Sequence, residues 1–218
     1  MPPFLSSMNL EIIYQDPYLI AVNKPCGMLS VPGRGEDKQD CVVVRLQQHM
    51  PEIRVVHRLD CHTSGVMLLA IGPDMQRQLS RLFHDREVEK RYIALVHGMV
   101  EQNSGIIDIP MRGDPDNRPM QVIDYVNGKH AQTQWRLLRY QKTGALSQSS
   151  RLQLRPVTGR THQLRVHCMA LGHPVVGDRL YNDLNGGGAE RMMLHAEQLE
   201  FIHPVSHERI CLSAKCEF

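Results

Sequence analysis

Apolar and polar residues alternate in blocks that predict many strands and few helices. Gly65 to Ile71 is an unbroken apolar run, which suits a central strand buried on both faces. Ahead of it, Leu10 to Tyr14 is apolar and β-prone, Asp16-Pro17 makes a turn, and Tyr18 to Val22 reads as a second strand. The pair predicts an N-terminal hairpin. Lys24-Pro25-Cys26-Gly27 breaks it, and Val31 to Asp37 is a polar loop rich in Pro and Gly. Asp40 is placed to cap a short helix over Val42 to His49, and Val55 to Leu59 reads as extended. Pro73 opens a second helix that runs to about His84. Met75, Leu79, Leu82 and Phe83 share one face, and Arg77, Arg81 and Arg86 lie off it. Arg91 to His97 is a strand, Met111 to Met120 a loop, and Ala131 to Tyr140 with Arg151 to Arg155 an antiparallel pair. Thr161 is placed to cap a third helix that ends near Leu171, with Gly172 as its stop. Gly186-Gly187-Gly188 marks a flexible surface loop. Met193 to Ile202 and Ile210 to Ala214 close the sheet. Without regular βαβ alternation, this order predicts an α+β fold on a mixed, mostly antiparallel sheet.

Composition narrows the class. The 218 residues fit one large domain or two small ones, and 42% hydrophobic with 22% charged residues excludes wholesale disorder. No apolar run approaches the ~18 to 20 residues of a membrane span, and the N-terminus lacks the charge and cleavage pattern of a signal peptide. A cytoplasmic protein is expected. The six cysteines include no Cys-x-x-Cys pair and read as buried small hydrophobes. None of the twelve histidines sits in a His-Glu-x-x-His frame, and Pro204 between His203 and His207 argues against a helical metal pair, so no metal is expected. Net charge is only +2, but arginine supplies 19 of the 25 basic residues. Its planar fork suits phosphates and base edges.

Three segments can carry chemistry. His57-Arg58-Leu59-Asp60-Cys61-His62-Thr63-Ser64-Gly65 lies between two apolar strands. Asp60 can act there as nucleophile or general base, and the same residues would also make an Asx turn. Thr158-Gly159-Arg160-Thr161-His162-Gln163-Leu164-Arg165-Val166-His167 feeds a helix N-terminus, a place for a phosphate or carboxylate beside Arg160, His162 and Arg165. Its plainer reading is a capped amphipathic helix. Lys90 to Gly98 is a strand with Tyr92, Ala94 and Val96 on one side, where Tyr92 is either a core ring or a platform for a base. Gly33-Arg34-Gly35 lacks the third glycine of a nucleotide-binding fingerprint. A glycosidase-type carboxylate pair would have to bring Asp108, Asp114 or Asp116 to Asp60 through the fold. An RNA-binding protein without chemistry would keep the arginines but not need Asp60.

Taken together, the three segments resemble the RluA family of pseudouridine synthases. The order Asp16 to Pro25, Gly27, Leu194-His195-Ala196 and His203-Pro204 fits the same pattern, from about residue 10 to 215. The resemblance implies an isomerase that turns uridine into pseudouridine in RNA, with no cofactor and no metal. It implies a sheet with flanking helices and a central catalytic cleft. It assigns Asp60 as the catalytic aspartate, Tyr92 as the ring on the target uracil, and Arg165 as the arginine that pairs with the aspartate. Arg58 becomes an RNA contact, and His57, Thr63, Arg160, His162, Arg34, Arg77 and Arg81 complete the expected RNA surface. The chain reads as one catalytic domain over 1–218, flexible over 1–9, without the S4 domain many relatives carry. The segment Gly27 to Arg34 is most similar to family members acting on both tRNA and rRNA. That implies a tRNA anticodon stem-loop (uridine 32) and a 23S rRNA hairpin (uridine 746) as partners, and a monomer.

Overall fold

The computed structural model describes residues 10–141, 146–182 and 189–218. The expected flexible N-terminal segment and the Gly186-Gly187-Gly188 loop lie outside them. In chain order the elements are β1 (Glu11–Gln15), β2 (Leu19–Lys24), α1 (Val42–Gln47), β3 (Ile53–Val55), β4 (Ser64–Ile71), α2 (Pro73–His84), β5 (Glu89–His97), β6 (Ser104–Asp108), β7 (Met111–Gly113), β8 (Gln121–Ile123), β9 (Gln132–Gln141), β10 (Ser149–Pro156), α3 (Gln163–Ala170), β11 (Leu194–Ile202) and β12 (Arg209–Ser213). The fold is α+β, strand-rich and mostly antiparallel, as the pattern predicts. Contacts divide the chain into two compact units, one over residues 1–90 and 196–217, the other over 91–195 and 218.

In the first unit β1 pairs with β2, β2 and β3 both pair with β4, and β12 pairs with β11, all antiparallel. Leu19, Ala21, Val66, Leu68 and Ala70 share a core with Met75 and Leu79 of α2 and with Leu199, Phe201 and Leu212. The alternate residues Ile20, Val22, Met67 and Leu69 are equally buried. Both faces of β2 and β4 are therefore covered, which is why their sequences run apolar without alternation. Gly65 has φ +111°, and a Cβ there would collide with the backbone of Ala196. Only glycine lets β4 start that close to its neighbour.

In the second unit β10 lies between β5 and β9, β6 pairs with β9, and β7 pairs with β8, again antiparallel. Ala94, Val96, Trp135, Leu152 and Leu154 pack with Leu164 and Cys168 of α3 and with Val175.

Of the segment Val55 to Leu59, only Val55 belongs to a strand, at the end of β3. Three local expectations are corrected. Asp40 does not cap α1; it takes Arg45 on both carboxylate oxygens at 2.7 Å, and the Cys41 thiol accepts from the Val44 amide instead. Thr161 does not cap α3; the cap position is His162, left-handed at φ 54°. Of the six cysteines only Cys41 and Cys168 are buried, while Cys211 is exposed.

Candidate active site

The loop between β3 and β4 carries Asp60, and it is stitched to the loop after β2. Ser30 Oγ donates to Leu59 O at 2.7 Å and accepts from Leu59 N at 3.1 Å. The Gly27 amide and Lys24 Nζ both donate to Cys61 O, at 3.0 and 2.9 Å. Lys24 is wholly buried, and its ammonium also donates to Pro25 O and Met28 O. Three carbonyls therefore take the three donor directions of a lysine. The thiols of Cys26 and Cys61 donate across to His62 O and Gly27 O. Within the loop the Thr63 amide closes a turn on Asp60 O at 3.0 Å. Asp60 is half-buried at the crest of this fixed turn.

The neighbours of Asp60 divide by role. His57 Nε2 accepts the Leu68 amide at 2.9 Å, and its ring stacks on Phe83 with centroids 4.5 Å apart. Burial and the charge of Lys90 push its pKa down to about 3. His57 is thus a neutral, fixed ring, and not the exposed donor expected for RNA. Thr63 is buried at 3% exposure, so its expected RNA contact is replaced by a turn-holding place. Arg58 and Arg34 are exposed, as an RNA contact requires. Arg77 and Arg81 are exposed too, but each is ion-paired, with Asp74 and Asp85 respectively.

In the second unit Tyr92 lies on β5, half-buried, against the core that holds Ala94 and Val96. Arg165 belongs to the first turn of α3 and is buried. Its Nε and Nη2 donate to Asp178 Oδ2 and Oδ1, both at 2.7 Å. Asp178 Oδ1 also accepts from the Leu180 and Tyr181 amides. Burial alone would raise the Asp178 carboxyl, but Arg165 and these two amides outweigh it and hold it below the ordinary range. The Arg165 guanidinium lies 4.9 Å from the Tyr181 ring centre. Tyr181 Oη accepts from the Gln121 amide at 2.8 Å and lies 2.7 Å from His162 Nδ1. Arg160 is exposed and donates from Nε to His130 O. The anion seat expected at the start of α3 is reduced: the Gln163 and Arg165 amides already donate to Arg160 O and His162 O. Asp114 is spent on a turn with Asp116 and Asn117, and Asp108 holds His130 and Gln132.

One unit carries a stitched turn with Asp60, and the other carries a buried Arg165–Asp178 pair and, on β5, Tyr92. Comparison with known proteins identifies the family. Residues 18–170 match the RNA pseudouridylate synthase family. The chain belongs to that family. It is 43% identical to the dual-specificity RNA pseudouridine synthase RluA of Escherichia coli (strain K12), over 96% of this chain and 94% of that one. It is 46% identical to the Vibrio vulnificus RluA, over 95% of this chain and 84% of the relative. Among solved structures, human RNA pseudouridylate synthase domain containing 1 superposes with a TM-score of 0.80 at 32% identity, covering 95% of this chain and 84% of that one. As an RluA-family synthase, the chain is an isomerase that converts uridine to pseudouridine in RNA.

Sequence reading of this synthase missed Lys24, Ser30, Asp178 and Tyr181. Lys24-Pro25 reads as a strand breaker, and nothing local says that the lysine is buried. Asp178 left a clearer signal, an acid directly after the apolar run Val175-Val176 and Gly177.

Proposed function

We propose that Asp60, Tyr92 and Arg165 act together on the target nucleotide, and that the substrates are stem-loop RNAs. The reaction breaks the glycosidic bond, turns the base and joins C5 to C1′. Substrate and product are isomers, so the chemistry asks for a carboxylate and a dry, ordered pocket, not an electron carrier. Asp60 supplies the carboxylate. The observation that carries this assignment is the stitching of its turn by Ser30, Lys24 and Gly27, which fixes a polar loop to the standard of a strand end. Tyr92 supplies a ring for the uracil face, and Arg165 a guanidinium already oriented by Asp178. The base must first leave its stack at a cost of a few kcal/mol, which loop RNA lowers and phosphate contacts offset.

The relatives' name, dual-specificity, supports two RNA targets here as well. We propose uridine 32 of a tRNA anticodon stem-loop and uridine 746 of a 23S rRNA hairpin, modified in the cytoplasm by a monomer. The assignment of Asp60 is tested by Asp60→Asn, which keeps size and removes the charge. Tritium release from 5-tritiated uridine RNA should fall below detection while the melting temperature stays near wild type. Residual turnover above a few per cent of wild type would overturn it.

A further inference from the structure

Cys26 and Cys61 lie on two segments that hydrogen bonds hold side by side. The Gly27 amide donates to Cys61 O at 3.0 Å, and Lys24 Nζ bridges Pro25 O and Cys61 O at 3.0 and 2.9 Å. Each thiol then crosses to the opposite segment. Cys26 Sγ donates to His62 O at 3.1 Å, and Cys61 Sγ donates to Gly27 O at 3.2 Å. With ordinary backbone dimensions, the bond from Gly27 to Cys61 O sets the Cα atoms of the two cysteines about 5 to 7 Å apart, the span of a disulfide. Both thiols are free and half-buried, so a small solute reaches them, whereas Cys41 and Cys168 are closed off. The reaction proposed above uses neither sulfur. A serine hydroxyl would donate to the same two carbonyls, so what sulfur adds here is its redox chemistry. Among the described residues no group of three His, Cys, Asp or Glu is placed to hold a metal ion, so the pair is a dithiol and not half of a metal centre.

We propose that Cys26 and Cys61 are a reversible oxidation site, which a hydroperoxide converts to a disulfide that halts turnover. Burial pushes the Cys61 thiol up and makes it a poor first nucleophile, so Cys26 meets the oxidant. Its sulfur attacks one peroxide oxygen. An S–O bond forms, the O–O bond breaks, and the departing hydroxide takes the thiol proton and leaves as water. Cys61 then attacks the sulfenic sulfur. The S–S bond forms, the S–O bond breaks, and a second water carries off the second thiol proton. The two sulfurs together lose two electrons, and the peroxide gains them. The bridge takes both thiol donors from His62 O and Gly27 O and draws Cys61 toward Cys26. Asp60 is the preceding residue, and its carbonyl closes the turn on the Thr63 amide, so the carboxylate shifts with the chain. A displacement of about 1 Å at a reacting group costs on the order of a hundredfold in rate. The loss of turnover rests on the reading of Asp60 as the catalytic carboxylate; the formation of the bridge does not.

The test treats the full chain with hydrogen peroxide, blocks the remaining thiols and maps the bridges by peptide mass spectrometry. Trypsin leaves Cys26 and Cys61 on different peptides, and the two should appear joined and two hydrogens lighter. Tritium release from uridine RNA should fall about a hundredfold in the same sample and return on treatment with dithiothreitol. The oxidised chain should melt at or above the reduced one, because the bridge closes a long loop of the unfolded chain. Cys26→Ser and Cys61→Ser each keep a donor for the carbonyl and cannot form the bridge. Each should hold its own untreated rate through the same peroxide dose. The bridge is read on the unsubstituted chain, so a variant that fails to fold does not remove the test. Peroxide that yields sulfinic acids, or bridges to other cysteines, without joining Cys26 to Cys61 overturns the site. A bridge that leaves turnover unchanged overturns the switch, as does a loss of turnover that is equal in both serine variants. Turnover retained by Asp60→Asn overturns the reading of Asp60 instead, whatever the peptide masses show.

Discussion

Arg165 is expected to pair with the catalytic aspartate, and the structure gives it a second carboxylate, Asp178, with two bonds of 2.7 Å. That changes what its removal means. Both groups are buried, with Asp178 wholly so. Arg165→Ala strands that carboxylate, and breaking a buried pair costs about 3 to 5 kcal/mol. Loss of activity in that variant alone therefore proves little about catalysis. Removing both partners separates the two effects. Arg165→Ala with Asp178→Ala should recover part of the lost stability in urea unfolding, because no lone charge remains, yet recover no tritium release. Arg165→Lys should keep some stability and little activity, since lysine has no fork to share between carboxylates. An active double variant would show that Arg165 serves only to neutralise Asp178. Acid adds a second signature. Asp178 is held below its unfolded value, so its pair stabilises the fold above about pH 4, and that contribution is lost as pH falls through the folded value.

At the scale of elements, His57 explains why the loop starts where it does. Val55 pairs with Leu69, and the next position along β4 that needs an acceptor, the Leu68 amide, takes the His57 ring instead of a backbone carbonyl. A side chain ends the ladder and releases the backbone to form the Asp60 turn. The price is a histidine that must stay neutral. Its pKa lies at about 3 in the fold against about 6.5 unfolded, so the unfolded chain binds a proton there that the fold does not. Stability is unpenalised above pH 6.5 and falls below it, by up to about 1.4 kcal/mol per pH unit until about pH 3. His57→Gln keeps an acceptor for the amide but does not titrate. Between pH 7 and pH 5 it should lose about 2 kcal/mol less than wild type in urea unfolding. Equal losses would mean that His57 is not held neutral. Nothing in the local sequence announced this role, and that divides what could be read from what could not. The β2 and β4 runs, the Pro73 start of α2 and the β9–β10 pair are periodic and punctuated, and they are legible. β6 and β7 are short, with few apolar residues, and carry no such signal. The caps of α1 and α3 were misread because side chains competed for them: Asp40 went to Arg45, and Gln163 took the Arg160 amide and the Thr158 hydroxyl. The motif around Asp60 was legible as a motif. The groups that hold it, Lys24 and Ser30, lie some thirty residues away and enter only through the fold.

At the scale of the whole chain, the balance of charge is less telling than its bookkeeping. A net charge of +2 does not draw RNA by itself. What matters is which cations are free to meet phosphate. Arg77 and Arg81, though exposed, are partnered on the protein, whereas Arg34, Arg58 and Arg86 are exposed and make no ion pair among the described residues. An enzyme with little net charge is suited to a compact target whose backbone comes to it on a curved path. A hairpin loop offers that, together with a base that is already weakly stacked. The same reasoning sets the final prediction. A synthetic anticodon stem-loop with uridine at position 32 should be modified nearly as well as intact tRNA, and a hairpin carrying uridine 746 of 23S rRNA should be modified too. Replacing the target uridine by cytidine should abolish product in each. Affinity for both should drop steeply with salt, with slopes set by the same few phosphates. Intact tRNA modified at another position, with neither stem-loop a substrate, would leave the family unchanged and overturn the choice of RNA.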